Sequence, residues 1–286
     1  MIGQSVKLLR LGLIPLGLLF FVFFICPLLS FLWASVVVSA DGITSFTMQH
    51  YADALFSDNV HRSLRTTLSL SLLTGAVSLI LGYLLAYQVV RRGPVVSKLI
   101  FMLAIGSLFT STIARALGWR VLLGYQGPIN GALVALGIIA EPIQLINNFA
   151  AVAIGMIQIQ TPVAMLGLIP VIEAIPRDIE RAATGLGSSR WKAFFLVHLP
   201  MTWMNAVPIG LISVMATASY FTTPVLLGGG RVEVIAIQIQ QASQILFDFG
   251  LAAALSVLLV LMIGVIAFLI LLFTYWRRSV RARGFA

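Results

Sequence analysis

The sequence predicts an all-α polytopic membrane protein with six transmembrane helices and both termini on the cytoplasmic side. Three observations predict it. Of 286 residues, 60% are hydrophobic and only 9% are charged, whereas a soluble domain carries roughly 25% charged residues. The apolar residues gather in runs of about the 20 residues that a helix needs to cross a bilayer core. The basic residues sit at the ends of those runs, where they set orientation. The chain is nearly all span and short loop, so residues 1–286 are expected to form a single transmembrane domain.

Six runs qualify, roughly 11–38, 64–90, 99–117, 149–172, 201–220 and 249–276. The first follows Lys7 and Arg10 and ends on Val38-Ser39-Ala40, a passable cleavage site. Its length far exceeds the roughly 7–15 residues of a signal-peptide core, which favours a retained helix. Pro15 and Pro27 within it predict a kinked start. The stretch 131–139 is apolar but short, bracketed by Asn130 and Glu141-Pro142, and reads as a re-entrant or interfacial piece. Under six spans, Arg62, Arg65, Arg115, Arg120 and Arg231 fall on one side and the other thirteen of the 18 Lys and Arg on the opposite side. The richer side is the cytoplasmic one.

Composition also excludes functions. The net charge of +9 lies at span ends and marks orientation, so no nucleic-acid partner is implied. Cys26 is the sole cysteine, so no intrachain disulfide is possible, and its apolar setting predicts a buried, inert thiol. His50, His61 and His198 are scattered and lack the spaced partners of a metal site. No nucleophile–base set suggests an enzyme. An ion-coupled secondary transporter usually shows an intramembrane acid or a paired repeat, and the six runs show neither.

The loop 173–200, between the fourth and fifth spans, is a polar, basic island in this apolar chain. Pro176 suits a first helical turn, and Asp178 and Glu180 suit a helix N-terminus. Ile179, Ala182, Ala183 and Leu186 fall at helical spacing and form one apolar stripe. Gly187 is placed to end that helix, and Ser188 or Ser189 to cap a second one. Trp191, Phe194, Phe195 and His198 follow at helical spacing until Pro200, which is expected to break the chain. Such a helix–glycine–helix unit is either an amphipathic hairpin on the lipid surface or a compact knob that fits a groove on a soluble partner.

Ala182-Ala183, Gly187 and Val197-His198-Leu199-Pro200, in this spacing, resemble the EAA loop of permease subunits of bacterial ABC importers. The stretches from Arg115 to Asn130 and from Thr222 to Gly229 are similar to segments of spermidine/putrescine-type permeases. The resemblance implies a coupling helix, with Glu180, Arg181, Ala182, Ala183, Leu186, Gly187, Ser188 and Trp191 docking into a cytoplasmic ATPase. The family's acid usually directly precedes the alanine pair, where this chain has Arg181; Glu180 stands one place early. The resemblance further implies two ATPase subunits that bind ATP and Mg, a second, non-identical permease, an extracytoplasmic solute-binding protein and a location in the bacterial inner membrane. This chain is expected to bind no cofactor. The glycines at 228–230 are followed by Arg231-Val232 instead of the Lys-Ser/Thr of a phosphate loop.

Polar residues inside spans line cavities or join helices. Ser107, Ser111 and Arg115, then Gln158 and Thr161, then Ser213, Thr217 and Tyr220 mark one face each on spans three, four and five, and these are the candidates for a translocation path. Tyr83 and Tyr87 read as interfacial belt residues. The resemblance implies a polyamine or a related nitrogen-containing solute. A polycation, however, prefers carboxylates or aromatic faces, and no Asp or Glu lies at mid-depth in the runs. The residues themselves equally suit a zwitterion or an anion meeting Arg115 or Arg120.

Overall fold

The computed structural model describes Pro15 and residues 17–40 and 43–283. Lys7, Arg10 and the first residues of the run at 11–38 lie outside the described residues. In chain order the elements are α1 (Gly17–Ser35, with a π-helical segment Phe21–Ile25), the strands β1 (Val37–Ala40) and β2 (Ile43–Phe46), α2 (Gln49–Phe56), α3 (Asp58–Arg91), α4 (Pro94–Leu108), α5 (Thr112–Leu122), α6 (Pro128–Ala135), α7 (Phe149–Glu173), α8 (Arg177–Gly185), α9 (Arg190–Ala218), α10 (Thr222–Gly228), α11 (Ile235–Gln244) and α12 (Phe249–Arg283). Five helices, α1, α3, α7, α9 and α12, are long and apolar enough to cross a membrane, and the pair α4–α5 makes a sixth if it is counted as one span.

Four expectations change. The run at 99–117 is not one straight helix: α4 and α5 meet at a 103° bend. Thr110, Ser111 and Thr112 sit at that break, and Ser111 adopts the extended backbone of an N-cap, a role that Ser and Thr favour over a helix interior. Averaged hydropathy passes over this triplet because apolar residues continue on both sides. Pro200 does not break the chain. It lies inside α9, where the π-helical segment Phe194–His198 widens the helix one turn earlier and relieves the clash a proline otherwise imposes. Residues 37–46 form an antiparallel hairpin, with Val37 opposite Phe46 and Val38 opposite Ser45. Cys26 is exposed, because α1 packs little of its surface against the rest of the described chain.

The stretch 131–139 contains only the two-turn helix α6, capped at Leu136 and followed by Gly137 in a left-handed conformation. It is far shorter than a crossing requires.

The chain divides into two units, Met1–His61 with Gln238–Val260, and Arg62–Ile237 with Leu261–Ala286. In the first, the Ser35 and Tyr51 hydroxyls share a 2.8 Å hydrogen bond, and Gln238 donates to the Asn59 carbonyl. In the second, α7 is the central helix. Its N-terminus is capped by Asn148, whose side chain accepts from the Ala151 amide at 2.9 Å. One cluster of its core joins Val152 and Met156 of α7 to Leu70, Leu123 and Leu227; another joins Met165, Leu168 and Ile172 to Tyr83, Ala86, Phe194 and Ala206.

Small residues let these helices approach closely, as membrane helix packing requires. A Cβ added at Gly82 would lie 2.8 Å from both the Ala164 Cβ and the Met165 backbone nitrogen. Neither is the far end of a flexible side chain. Gly82→Val is therefore expected to cost about 2 kcal/mol or more by overpacking, read as a lowered unfolding transition in detergent. An unchanged transition would contradict this packing.

Candidate functional site

The segment 173–200 forms the two capped helices that the sequence suggests, although the second runs on through Pro200, and local chemistry accounts for the caps. Pro176 takes the N-cap position of α8, with Asp178 and Glu180 in the first turn. At the other end Gly187 has φ +90°, a conformation that glycine adopts without strain. Its N–H donates to the Thr184 carbonyl at 3.0 Å, and the Ser188 N–H to the Ala183 carbonyl at 3.1 Å. These two bonds make a Schellman cap. Ser189, rather than Ser188, caps the next helix by accepting from the Lys192 amide at 3.3 Å.

The root of α8 is held by one carboxylate. Glu180 Oε1 lies 3.2 Å from Arg91 Nε and 2.7 Å from His198 Nδ1, while Tyr87 donates its hydroxyl proton to Glu180 Oε2 at 3.1 Å. The His198 side chain is 0% exposed, and those of Arg91 and Glu180 are 10% and 18% exposed. Two lone pairs would repel at 2.7 Å, so the imidazole proton belongs on Nδ1. Three elements meet here: α3 supplies Tyr87 and Arg91, α8 supplies Glu180 and α9 supplies His198. Two backbone straps reinforce them. Arg91 Nη2 donates to the Ile175 carbonyl at 2.9 Å, and Arg177 Nη2 donates to the Val90 carbonyl, which occupies one of the unpaired acceptors at the α3 C-terminus. Phe194 packs edge-on against Tyr87 at 4.9 Å between ring centres and stacks on His198 at 6.2 Å.

This arrangement moves Glu180 away from the docking surface expected for it. Its carboxylate faces inward, toward the spans. Tyr83 and Tyr87 are likewise not belt residues: Tyr83 is buried and shares a short hydrogen bond with the Thr202 hydroxyl, and Tyr87 holds Glu180. Sequence reasoning missed Arg91, Tyr87 and His198 as partners of Glu180. A signal existed, because Tyr83, Tyr87 and Arg91 recur every four residues and so share one face of α3.

The remaining loop residues form the outward surface. Leu186 is 89% exposed and Trp191 is 72% exposed. Ala182 is exposed, and Ala183 and Ser188 are half-buried. Arg181 pairs with Asp178 at 3.1 Å on the surface. Trp191 stacks on Phe195, with ring centres 6.3 Å apart. The alanine stripe and Leu186 are thus left largely uncovered by this chain.

The path candidates separate into two groups. Ser213, Thr217 and Thr161 are buried, and their hydroxyls donate to carbonyls of their own helices, those of Ile209, Ser213 and Ile157. Gln160 reaches across to the Ser213 carbonyl at 3.4 Å, so these residues join α7 to α9. The other group gathers at the α4–α5 bend. Gln158 donates to the Ser107 hydroxyl at 3.1 Å, and Arg115 Nη1 to the Ser107 carbonyl at 3.2 Å. Tyr220 is half-buried and packs against the cluster around Val152 and Met156. Ser111 is exposed at the bend.

No family model matches the chain. Among curated proteins it is 27% identical over 233 residues to the spermidine/putrescine transport system permease protein PotB of Haemophilus influenzae, covering 82% of this chain and 79% of that protein. It is equally 27% identical, over 234 residues, to PotB of Escherichia coli, covering 82% and 83%. Among solved structures, a bacterial alginate ABC transporter in complex with an alginate-bound periplasmic protein contains a chain that superposes with TM-score 0.77 at 18% identity, covering 95% of this chain and 93% of that one. By sequence the chain is similar to permease subunits of spermidine/putrescine transport systems, and it has the fold of a chain of an ABC importer.

Proposed function

We propose that this chain forms half of the translocation path of an ABC importer and takes its driving force through α8. The observation that carries this reading is the division of α8 into two faces. Glu180 ties one face to α3 and α9, while Ala182, Leu186, the Gly187 turn and Trp191 leave the other uncovered. A rigid unit with an apolar outer tip and an ionic root suits docking into a groove on a cytoplasmic ATPase and passing its movement to the spans. Residues 173–200 and both termini then lie on the cytoplasmic side, in accord with the distribution of Lys and Arg.

In this reading two ATPase subunits bind ATP and Mg and this chain binds neither. A second, non-identical permease completes the path, and an extracytoplasmic binding protein delivers the solute. The solute is a small nitrogen-containing organic compound, of the polyamine type carried by the relatives named above. Ser107, Arg115, Gln158 and Tyr220 are the residues of this chain that face it.

Two outcomes test the docking. Leu186→Asp changes an exposed side chain without disturbing the fold, and Gly187→Trp strains a left-handed position by about 1–2 kcal/mol. Both are expected to abolish co-purification of the ATPase while membrane insertion persists; normal co-purification with both would overturn the docking role. Separately, Glu180→Ala leaves the buried Arg91 guanidinium and the His198 Nδ1 proton without their acceptor, at a cost of about 3 kcal/mol. It is expected to accelerate amide hydrogen exchange across α8, whereas Tyr87→Phe, which loses one hydrogen bond worth about 1 kcal/mol, accelerates it less. Equal exchange in all three proteins would remove Glu180 as the anchor.

A further inference from the structure

The ionic root of α8 contains an atom that anchoring does not use. His198 Nδ1 serves Glu180, but Nε2 on the other side of the ring is enclosed with no hydrogen-bond partner among the described residues. The side chain is 0% exposed. From α3 it meets the rings of Tyr83 and Tyr87, edge-on at 6.2 and 5.1 Å, and the field of the Arg91 guanidinium. From α8 it meets the Glu180 carboxylate. Its own helix α9 adds only the Phe194 ring, stacked at 6.2 Å. The α7 residues packed in the same cluster, Met165, Leu168 and Ile172, are apolar. The charged groups acting on His198 are therefore one carboxylate and one guanidinium.

Charge counting decides what a further proton does here. With a neutral imidazole the root is balanced, because Arg91 already offsets Glu180. A second proton on His198 would leave the enclosed cluster net positive, and the new N–H on Nε2 would meet no acceptor. Both effects are unfavourable in a site shut off from water. An imidazole in water takes up the same proton near pH 6.5. A root that opens as α8 tilts away therefore binds one more proton below that pH than the closed root does. By linkage, the closed root keeps its full stability above about pH 6.5, and the open-to-closed ratio grows by up to about tenfold for each pH unit below it. We infer that His198 makes the root of α8 a proton-sensitive latch, closed at neutral pH and loosened when the side of the membrane that carries α8 turns acidic. Its consequence for transport rests on the importer reading; the latch itself is a property of this chain.

The test measures amide hydrogen exchange across α8 in the assembled transporter in nanodiscs, at about pH 7.5 and about pH 5.5, on either side of the imidazole range. Each rate is corrected for the intrinsic pH dependence of exchange. Opening of α8 is expected to be about tenfold more frequent at the lower pH. His198→Asn sets an amide N–H where Nδ1 stands and cannot titrate, so it is expected to abolish this step. Arg91→Gln removes the offsetting charge, so that a proton on His198 now neutralises Glu180. There the step is expected to vanish or reverse, which keeps the inference testable if His198→Asn does not fold. Equal opening at both pH values in the unaltered chain would overturn the latch, as would an undiminished step in either variant. The ratio of ATP hydrolysed to solute imported probes the importer reading separately. In proteoliposomes acidified on the ATPase side it is expected to rise for the unaltered transporter and to stay level for His198→Asn. A step in exchange with a level ratio in both would uphold the latch and overturn its part in coupling, so the two claims fail separately.

Discussion

One carboxylate joins α8 to the long apolar helices. Glu180 is the point where a helix that packs little of its own surface against the chain becomes continuous with two membrane helices. α8 spans only Arg177–Gly185, too short to be stable by its own hydrogen bonds. What fixes it is the contact of Glu180 with Arg91, His198 and Tyr87, together with the arginine straps at Val90 and Ile175. Buried charge is costly unless it is paired, and this cost is what makes the arrangement decisive: α8 cannot tilt away without stranding an arginine among apolar and aromatic side chains.

The same logic explains the π-helical segment at Phe194–His198. It places Phe194 and His198 in the core while Trp191 and Phe195 remain outside. It also makes Pro200 tolerable, so that α9 continues without interruption from Arg190 to Ala218. In the proposed function, movement applied at the α8 tip passes to two spans, through Glu180 to α3 and through His198 to α9. At the far end of α7, the bend between α4 and α5 gathers Arg115, Gln158 and Ser107. In the proposed function, a docking surface at α8 and a polar cluster nearer the opposite end of α7 are what alternating access asks of each half of a transporter.

Much of this was legible in the sequence. Run length and the low share of charged residues identified a helical membrane protein, and the glycine, serine and alanine positions located the capped helices of the loop. Three features were hidden, each for a physical reason. The bend at Ser111 falls on the short polar triplet Thr110-Ser111-Thr112 within an otherwise apolar run, and a hydropathy average passes over it. The π-helical segment changes the register around Pro200, which a fixed helical period cannot represent. The role of Glu180 was obscured because its partners come from residues 91 and 198, and a local reading of the loop has no access to them. The hydroxyls of Ser213 and Thr217 looked like that of Ser107 in sequence, but only the fold shows that two of them satisfy their own helix while the third accepts from Gln158, and that the Ser107 carbonyl holds Arg115.

The central claim is that Glu180 transmits force and does not itself touch the ATPase. The most direct measurement is the ratio of ATP hydrolysed to solute imported in proteoliposomes carrying the Glu180→Gln transporter, compared with the unaltered one. The expected result is that the ATPase remains bound and active while uptake falls about tenfold or more, so the ratio rises steeply. An unchanged ratio, with hydrolysis and uptake falling together or not at all, would contradict the account.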